Sequence, residues 1–584
     1  MTPPSTRARP GETRLTPAGV QSLDGLARRR WIVAGINLAA YVALLAAMAS
    51  VLGQGGWGWL DTGIFLGFAL VAPWGVLGLT NALLGLWLLH GTADWRALVA
   101  PYSLAGDGTA PLATRTAIVM TLRNEAAARA FARLRLVAAS VEATGCGAPF
   151  GYFVLSDTSD PAVARAEAEA FASWRIACPA LAPRLTYRRR LDNSGFKAGN
   201  VRQFCETWGA AFEFFIPLDA DSLMDGATIL RLVRMGEAHP KIGILQSLVV
   251  GAPSASGFAR IFQFGMRHGM RPYAMGSAWW GGDCGQFWGH NALVRVQPFL
   301  AHCALPVLAG APPLGGAILS HDQVEAALMR GAGYEVRVLP EEGGSYEDNP
   351  PTILEFSRRD QRWCQGNMQY FTLLNWPNLL PTSRFQLAWA IAMFIGQPAF
   401  NALLVLLAGK AAQGGAAPAG ARALYWVFLA LMVLPKLAGF VDVAITKGEL
   451  QRYGGAGRFF SSAAIELVFS FLMSAIVSFR TALFLLGLPF GRASVWSGQA
   501  RDVAALSLET CVRQLWAANL FGLALLVWLW VMAPGLIVWS LPYIAGLVLA
   551  VPFAMVTSWP GFGAALRRAG VCAIPEEIGD EKPR

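Results

Sequence analysis

The chain has 584 residues, 54% of them hydrophobic and only 14% charged, far from the usual soluble domain, in which about 25% are charged. The formal charge of +10 comes from scattered basic residues with no recurring stripe of Lys, Arg and aromatics, which excludes a nucleic-acid groove. The eight cysteines form no CxxC pair and no Cys/His set at metal-ligand spacing, which excludes a zinc site and a disulfide framework.

Residues 2–25 are rich in Pro, Thr, Arg and Gly and read as a disordered tail; with no apolar core before residue 27, no signal peptide is expected. Arg28, Arg29 and Arg30 directly precede an apolar run at 31–51. Such a run is long enough to cross ~30 Å of hydrocarbon as helix, and the positive-inside rule puts the cluster in the cytosol. A second run at about 64–89 returns the chain, so residues from about 91 to 382 are expected in the cytosol.

That stretch alternates β-type runs at 116–121, 152–156, 185–188, 214–218 and 242–247 with helical ones that include 161–173 and 198–208. Alternation of this kind implies right-handed crossovers and a mostly parallel sheet with ligand sites at the carboxyl ends of its strands. Apolar runs follow at 386–407, 423–444, 462–488, 515–532 and 537–556. Five crossings would leave Arg567 and Arg568 outside, and the third run carries Glu466 and Arg480, so an interfacial or re-entrant helix is expected at 462–488. The resulting plan is a disordered cytosolic tail at 1–27, two transmembrane helices within 28–90 and a cytosolic catalytic domain at 91–382. A membrane domain follows at 383–560, with about four transmembrane helices plus the interfacial helix, and then a cytosolic tail at 561–584.

Chemistry concentrates at the predicted strand ends. Phe215-Ile-Pro-Leu-Asp219-Ala-Asp221-Ser222 runs an apolar strand into two carboxylates at i and i+2. Side chains two apart on extended backbone share a face, so both can reach one hard cation and the diphosphate it neutralises; a solvated turn is the alternative. Asn124 and Glu125 end the first strand and Asp157 the second, at the rim where a nucleoside would sit, with helix capping as the other reading of each acid. Ser194-Gly-Phe-Lys197-Ala-Gly-Asn200 leads into a helix where lysine can approach a diphosphate, and Tyr187-Arg188-Arg189-Arg190 before it reads as a charged surface loop. Ser320-His321-Asp322 opens a helical run, in which Asp322 fits an N-cap or a general base. Arg359, Arg362 and Trp363 fall at i, i+3 and i+4 on a helix. A guanidinium fork suits phosphate oxygens and an indole suits a sugar face, although an interfacial Arg/Trp anchor has the same look. Ser494, Trp496 and Gln499 are candidates for a gate, with a plain interfacial loop as the alternative.

Taken in order, Asp157, Lys197-Ala-Gly-Asn200, Asp219-Ala-Asp221, Ser320-His-Asp322 and Arg359-x-x-Arg362-Trp363 resemble the motifs of processive family 2 glycosyltransferases, the cellulose and hyaluronan synthase group. In that group the acid triplet is commonly Thr-Glu-Asp and the last motif begins with Gln; here they are Ser-His-Asp and Arg359. Phe287-Trp-Gly-His290-Asn291-Ala, Ile318-Leu-Ser-His-Asp322, Gly344-Ser-Tyr-Glu347 and Arg362-Trp-Cys-Gln-Gly-Asn367 are similar to the glucans biosynthesis glucosyltransferase H family, the membrane synthase of osmoregulated periplasmic glucans. The resemblance implies an α/β GT-A type catalytic domain inserted between two blocks of transmembrane helices in the bacterial inner membrane. It implies inverting transfer of glucose from UDP-glucose to a β-glucan acceptor, Mg²⁺ or Mn²⁺ as cofactor, delivery toward the periplasm, and contacts with membrane lipid and an acyl carrier protein. Residue by residue, it implies Asn124, Glu125 and Asp157 on the uridine, Lys197 and Arg359 on the substrate, and Asp219 and Asp221 on nucleotide and metal. It further implies Asp322 as base, Arg362 at the leaving diphosphate and Trp363 stacked on the acceptor sugar. A synthase of another polysaccharide such as cellulose, or a transporter with a nucleotide-binding domain, stays open at this point.

Overall fold

The computed structural model describes residues 23–414, 417–494 and 505–579; Trp496 and Gln499 lie outside the described residues. Strands β1 (Thr116–Leu122), β2 (Phe150–Ser156), β3 (Leu185–Arg189), β4 (Phe214–Leu218), β6 (Ile242–Ser247), β8 (Ala292–Arg295) and β9 (Glu335–Leu339) form one sheet in the order β3-β2-β1-β4-β8-β6-β9. Short strands β5 (Leu223–Met224), β7 (Val250–Gly251) and β10 (Ser345–Glu347) form a second sheet, ordered β5-β10-β7. The central strands are near-continuous apolar runs because both faces of the large sheet are covered. Phe131, Leu134, Val137 and Ile229 cover one face, and Val201, Phe204, Phe299 and Met329 the other. The five strands expected from sequence pair in parallel, and β8 is inserted antiparallel between β4 and β6. Strand order reverses between β1 and β4, and in such sheets ligands bind at that crevice, outside the carboxyl ends.

Six helices among the described residues are long and apolar enough to cross a membrane: Gly25–Gly53, Trp59–Gly91, Pro381–Ala411, Ala421–Ile445, Ala456–Phe490 and Leu508–Met532. A pair bent by 60°, Pro534–Val548 with Ala550–Ser558, brings the number to seven if it counts as one span. The first helix begins at Leu23, inside the tail expected to be disordered, because Leu26 is buried against Gly282. Helix ends gather at two levels. On one, Gln54 Nε2 donates to Ala419 O (2.9 Å), Trp528 Nε1 to Ala408 O (3.0 Å) and Tyr425 Oη to Trp539 O (2.9 Å). On the other, beside the catalytic domain, Arg29 Nη1 donates to Leu98 O (2.9 Å), Gln386 Nε2 to Cys284 O (2.7 Å) and Leu506 N to Ser558 Oγ (3.2 Å).

The long helix Ala456–Gly487 behaves differently. Near its start Ser462 Oγ accepts from Cys572 N (2.7 Å), in the C-terminal segment docked on the catalytic domain, and near its end Thr481 Oγ1 donates to Asp360 (2.6 Å). Both ends therefore meet the same body, while Ser478 of the helix accepts from Asn401 Nδ2 of Pro381–Ala411 (3.1 Å). Two charged groups of the helix find partners inside the protein: Glu466 pairs with Lys436 (2.6 Å) and accepts from Ser470 Oγ (2.6 Å), and Arg480 donates to the Gln514 carbonyl. A second helix, Gly257–Gly281, packs across Trp59–Gly91 so closely that a methyl group on Gly85 would stand 1.7 Å from Pro272 O.

Helix Gly257–Gly281 also carries Arg267, whose guanidinium holds Glu576 through two bonds (2.8 and 2.9 Å) and Glu342 through a third (2.7 Å). Tyr346 Oη in β10 completes the cluster at 3.3 Å from Glu576. Removing one partner of a buried ion pair strands the other charge, at about 3–5 kcal/mol. Arg267→Ala is therefore expected to lower the denaturation midpoint of the purified protein strongly. An unchanged melting curve would show the clamp to be dispensable.

Candidate active site

The acids after β4 sit in a closed turn: Ser222 N donates to Asp219 O (3.0 Å) while Asp219 N donates to Ser222 Oγ (3.0 Å). Arg133 fixes the turn from outside, donating to Asp221 O (2.6 Å) and gripping Asp348 through its other nitrogen (2.7 and 2.8 Å). Asp221 is thereby left only 7% exposed, while Asp219 faces the cleft and pairs with Lys197. Lys197 is the second residue of helix Phe196–Trp208, whose N-terminus is turned toward the crevice by Gly195 in the left-handed region.

Asp322 arrives from the opposite wall. Ser320 takes the N-cap position of helix His321–Gly331, and Asp322 lies within its first turn, with Oδ1 accepting from Gln323 N (3.0 Å). The capping reading of Asp322 is corrected accordingly. Gly289, at φ +77°, fills the gap between the walls: a methyl group there would stand 3.4 Å from Asp322 Cβ, 3.7 Å from His321 Cε1 and 3.8 Å from Lys197 Nζ. The methyl would make only ordinary contacts there, and it is the left-handed backbone that favours glycine.

Helix Ile353–Met368 closes the cleft. Arg362 lies near enough to Glu355, Glu125 and Asp219 for all three to act on its charge, while burial and neighbouring Arg359 pull its pKa below the usual range. Arg359 stacks on the Trp363 ring at 4.8 Å and on Phe356 at 5.6 Å, so its guanidinium props the indole, which is 47% exposed. The turn that follows this helix holds the Asp322 loop: Gln369 accepts from Leu319 N (2.9 Å) and Tyr370 Oη donates to Ser320 O (2.7 Å). Gln365 donates to Pro313 O (3.1 Å) and accepts from Ser494 N (2.7 Å), tying the chain beyond helix Ala456–Gly487 to this wall. Burial pushes the Asp360 carboxyl up to about 6, against the Thr481 hydroxyl and Arg359.

The nucleoside rim is more internally committed than its residue types suggest. Asn124, at φ 53°, accepts from Ser159 N and Asp160 N (3.0 Å each), bracing the loop after β1 against the loop after β2. Asp157 is gripped by Arg190 through both oxygens, with side chains 4% and 10% exposed. Arg190 is thus part of the site's frame, which corrects the reading of 187–190 as a surface loop; the N-cap of the following helix is Asp160, not Asp157.

Asp219 faces the cleft and Asp221, two residues on in the same turn, is buried; among the described residues no group of three or more His, Cys, Asp or Glu is arranged to hold a metal. That donor set fits an ion such as Mg²⁺, which takes one or two carboxylates and completes its shell with phosphate oxygens and water.

A family model described as glycosyl transferase family group 2 matches residues 214–438, from β4 into the membrane block. The glucans biosynthesis glucosyltransferase H of Xanthomonas campestris pv. campestris (strain B100) is 36% identical over 583 residues, covering 96% of this chain and 88% of the relative. The chain belongs to the glucans biosynthesis glucosyltransferase H family. A second relative of that name, from Caulobacter vibrioides (strain NA1000 / CB15N), is 35% identical over 579 residues, covering 94% of this chain and 85% of the relative. Among solved structures, a mannosyltransferase from Pyrobaculum calidifontis in complex with GDP-Man and Mn²⁺ is 16% identical, with a TM-score of 0.36 over 63% of this chain and 99% of that one. As a member of the glucosyltransferase H family the chain is a glycosyltransferase, and the crevice between β1 and β4 is its candidate site. Three elements of this glucosyltransferase site carry no role in the motif reading: Gly289, the Arg133 clamp and the pairing of His321 with Glu325. The last has a sequence signal, an i, i+4 His/Glu pair.

Proposed function

We propose that this glucosyltransferase takes glucose from UDP-glucose and adds it, with inversion, to a growing β-glucan that leaves toward the periplasm. The observation that carries this reading is the convergence of Lys197, Asp219 and Asp322 around Gly289, with Arg362 acting on the same cluster. Asp322 takes the proton of the acceptor hydroxyl, whose oxygen displaces UDP in line, so one base and a neutralised leaving group suffice. Lys197 and Arg362 carry the diphosphate charge, and Trp363, propped by Arg359, offers its exposed face to the acceptor sugar. Glu125 contacts the uridine, while Asn124 and Asp157 shape its pocket through the loops they brace. A divalent cation, Mg²⁺ or Mn²⁺, held by Asp219 and Asp221 would supply further charge neutralisation at the diphosphate.

In the same reading the membrane part makes six passes as three hairpins, 23–91, 381–445 and 508–558, with Ala456–Gly487 lying along the cytosolic face. The two levels of helix-end contacts support this, and it places the catalytic domain in the cytosol of an inner-membrane protein. Membrane lipid surrounds these passes, and an acyl carrier protein is a partner to be tested by co-purification. Purified membranes given labelled UDP-glucose and Mg²⁺ are expected to form a β-linked polymer. Excess chelator is expected to stop its formation and added Mg²⁺ to restore it. Full activity in chelator would remove the cation, and no incorporation from UDP-glucose while another nucleotide sugar serves would overturn the donor.

A further inference from the structure

His321, next to the proposed base, sits where a histidine is poorly explained by stability. It is the first residue of helix His321–Gly331, and its Nδ1 lies 2.9 Å from Glu325 Oε2, a carboxylate whose side chain is 4% exposed. A buried carboxylate needs a charged or hydrogen-bonding partner, yet a cation in the first turn faces the positive end of the helix dipole. A second cation, Lys197, also acts on the ring. Burial opposes the imidazolium, but the Glu325 and Asp322 carboxylates together lift the pKa above its ordinary value. A local rule broken in this way beside a reactive group marks function rather than stability.

The pair also sets the ring's direction. With Nδ1 committed to Glu325, Cε1, the ring carbon that bears Nε2 on its other side, stands at the gap by Gly289, 3.7 Å from the methyl position that Asp322 Cβ approaches to 3.4 Å. Nε2 has no protein partner among the described residues. We propose that His321, held by Glu325, donates from Nε2 to the acceptor-sugar hydroxyl adjacent to the one that Asp322 deprotonates, and so decides which hydroxyl is presented for transfer. The assignment rests on the reading of Asp322 as base. It adds to that reading an acceptor-positioning residue that determines linkage.

The charged and titratable groups facing the pair are Asp322 on its own helix, Lys197 from helix Phe196–Trp208 and Tyr370 from the turn after helix Ile353–Met368, with Cys205 and Cys303 facing Glu325. Because the folded pKa is raised, the Nε2 proton is present at low pH and is lost as pH rises through that pKa. The full-length enzyme in membranes, given UDP-glucose and a short β-glucan oligosaccharide, is expected to show an acceptor KM that rises on the alkaline side.

His321→Gln is expected to raise the acceptor KM by about tenfold, the loss of one hydrogen bond from a charged donor, and to flatten that pH dependence. The KM for UDP-glucose is expected to stay in place and the product to contain mixed linkages. Glu325→Gln is expected to move the alkaline rise to lower pH. An unchanged acceptor KM, pH profile and linkage in His321→Gln would overturn the assignment. If that variant does not fold, the Glu325→Gln profile decides alone, an unshifted rise counting against the proposal. An active Asp322→Asn enzyme would instead sink the base, a different outcome from either.

Discussion

Asp322→Asn is expected to keep UDP-glucose binding while glucose transfer falls by about 10²-fold or more, the usual scale for loss of a general base. The substitution is isosteric, and the Oδ1 bond from Gln323 N (3.0 Å) survives on the amide oxygen. Tyr370 and Gln369 continue to hold the loop. The loss should therefore appear in kcat with little change in the KM for nucleotide, the signature of an interaction made only in the transition state. Binding of UDP measured by calorimetry alongside turnover separates the two, and near-normal turnover would remove Asp322 from the chemistry.

What made Asp322 legible from sequence is local: a carboxylate at the head of a strongly helical run, in order after a strand that ends in two acids. The same holds for β1, β2, β4 and β6, whose apolar runs announce buried parallel strands. Non-local partners were not legible. Asp157 and Arg190 stand 33 positions apart, and nothing in either segment says that the arginine turns inward to both oxygens. Helix Gly257–Gly281 escaped notice because its apolar stripe is interrupted by Arg260, Arg267 and Arg271; the first two find their carboxylates more than 300 residues later, in Glu577 and Glu576. Strand β8 has four residues, too few for a period to register. Glu466 and Arg480 prompted the reading of an interfacial helix, but composition could not show that Lys436 and the Gln514 carbonyl would meet them.

The complementary experiment removes charge from the other side of the reaction. Arg362 feels Glu125 and Asp219 as well as Glu355, and its own burial weakens competition from water, so in the proposed mechanism its guanidinium is preorganised where diphosphate charge grows as the glycosidic bond breaks. Loss of one such donor costs about 10²–10³ in kcat, and Arg362→Gln is expected to fall in that range with the KM for UDP-glucose nearly constant. Arg362→Lys keeps a charge but loses the planar fork and should recover only part of the rate. Arg359→Gln provides the internal contrast, because Arg359 spends its face on Trp363 at 4.8 Å: its loss should loosen the indole and raise the acceptor KM while kcat changes less. If Arg362→Gln instead raised only the KM for UDP-glucose, the residue would be binding ground and transition states alike, and the neutralisation of the leaving group would have to come from Lys197 and the cation at the Asp219 turn.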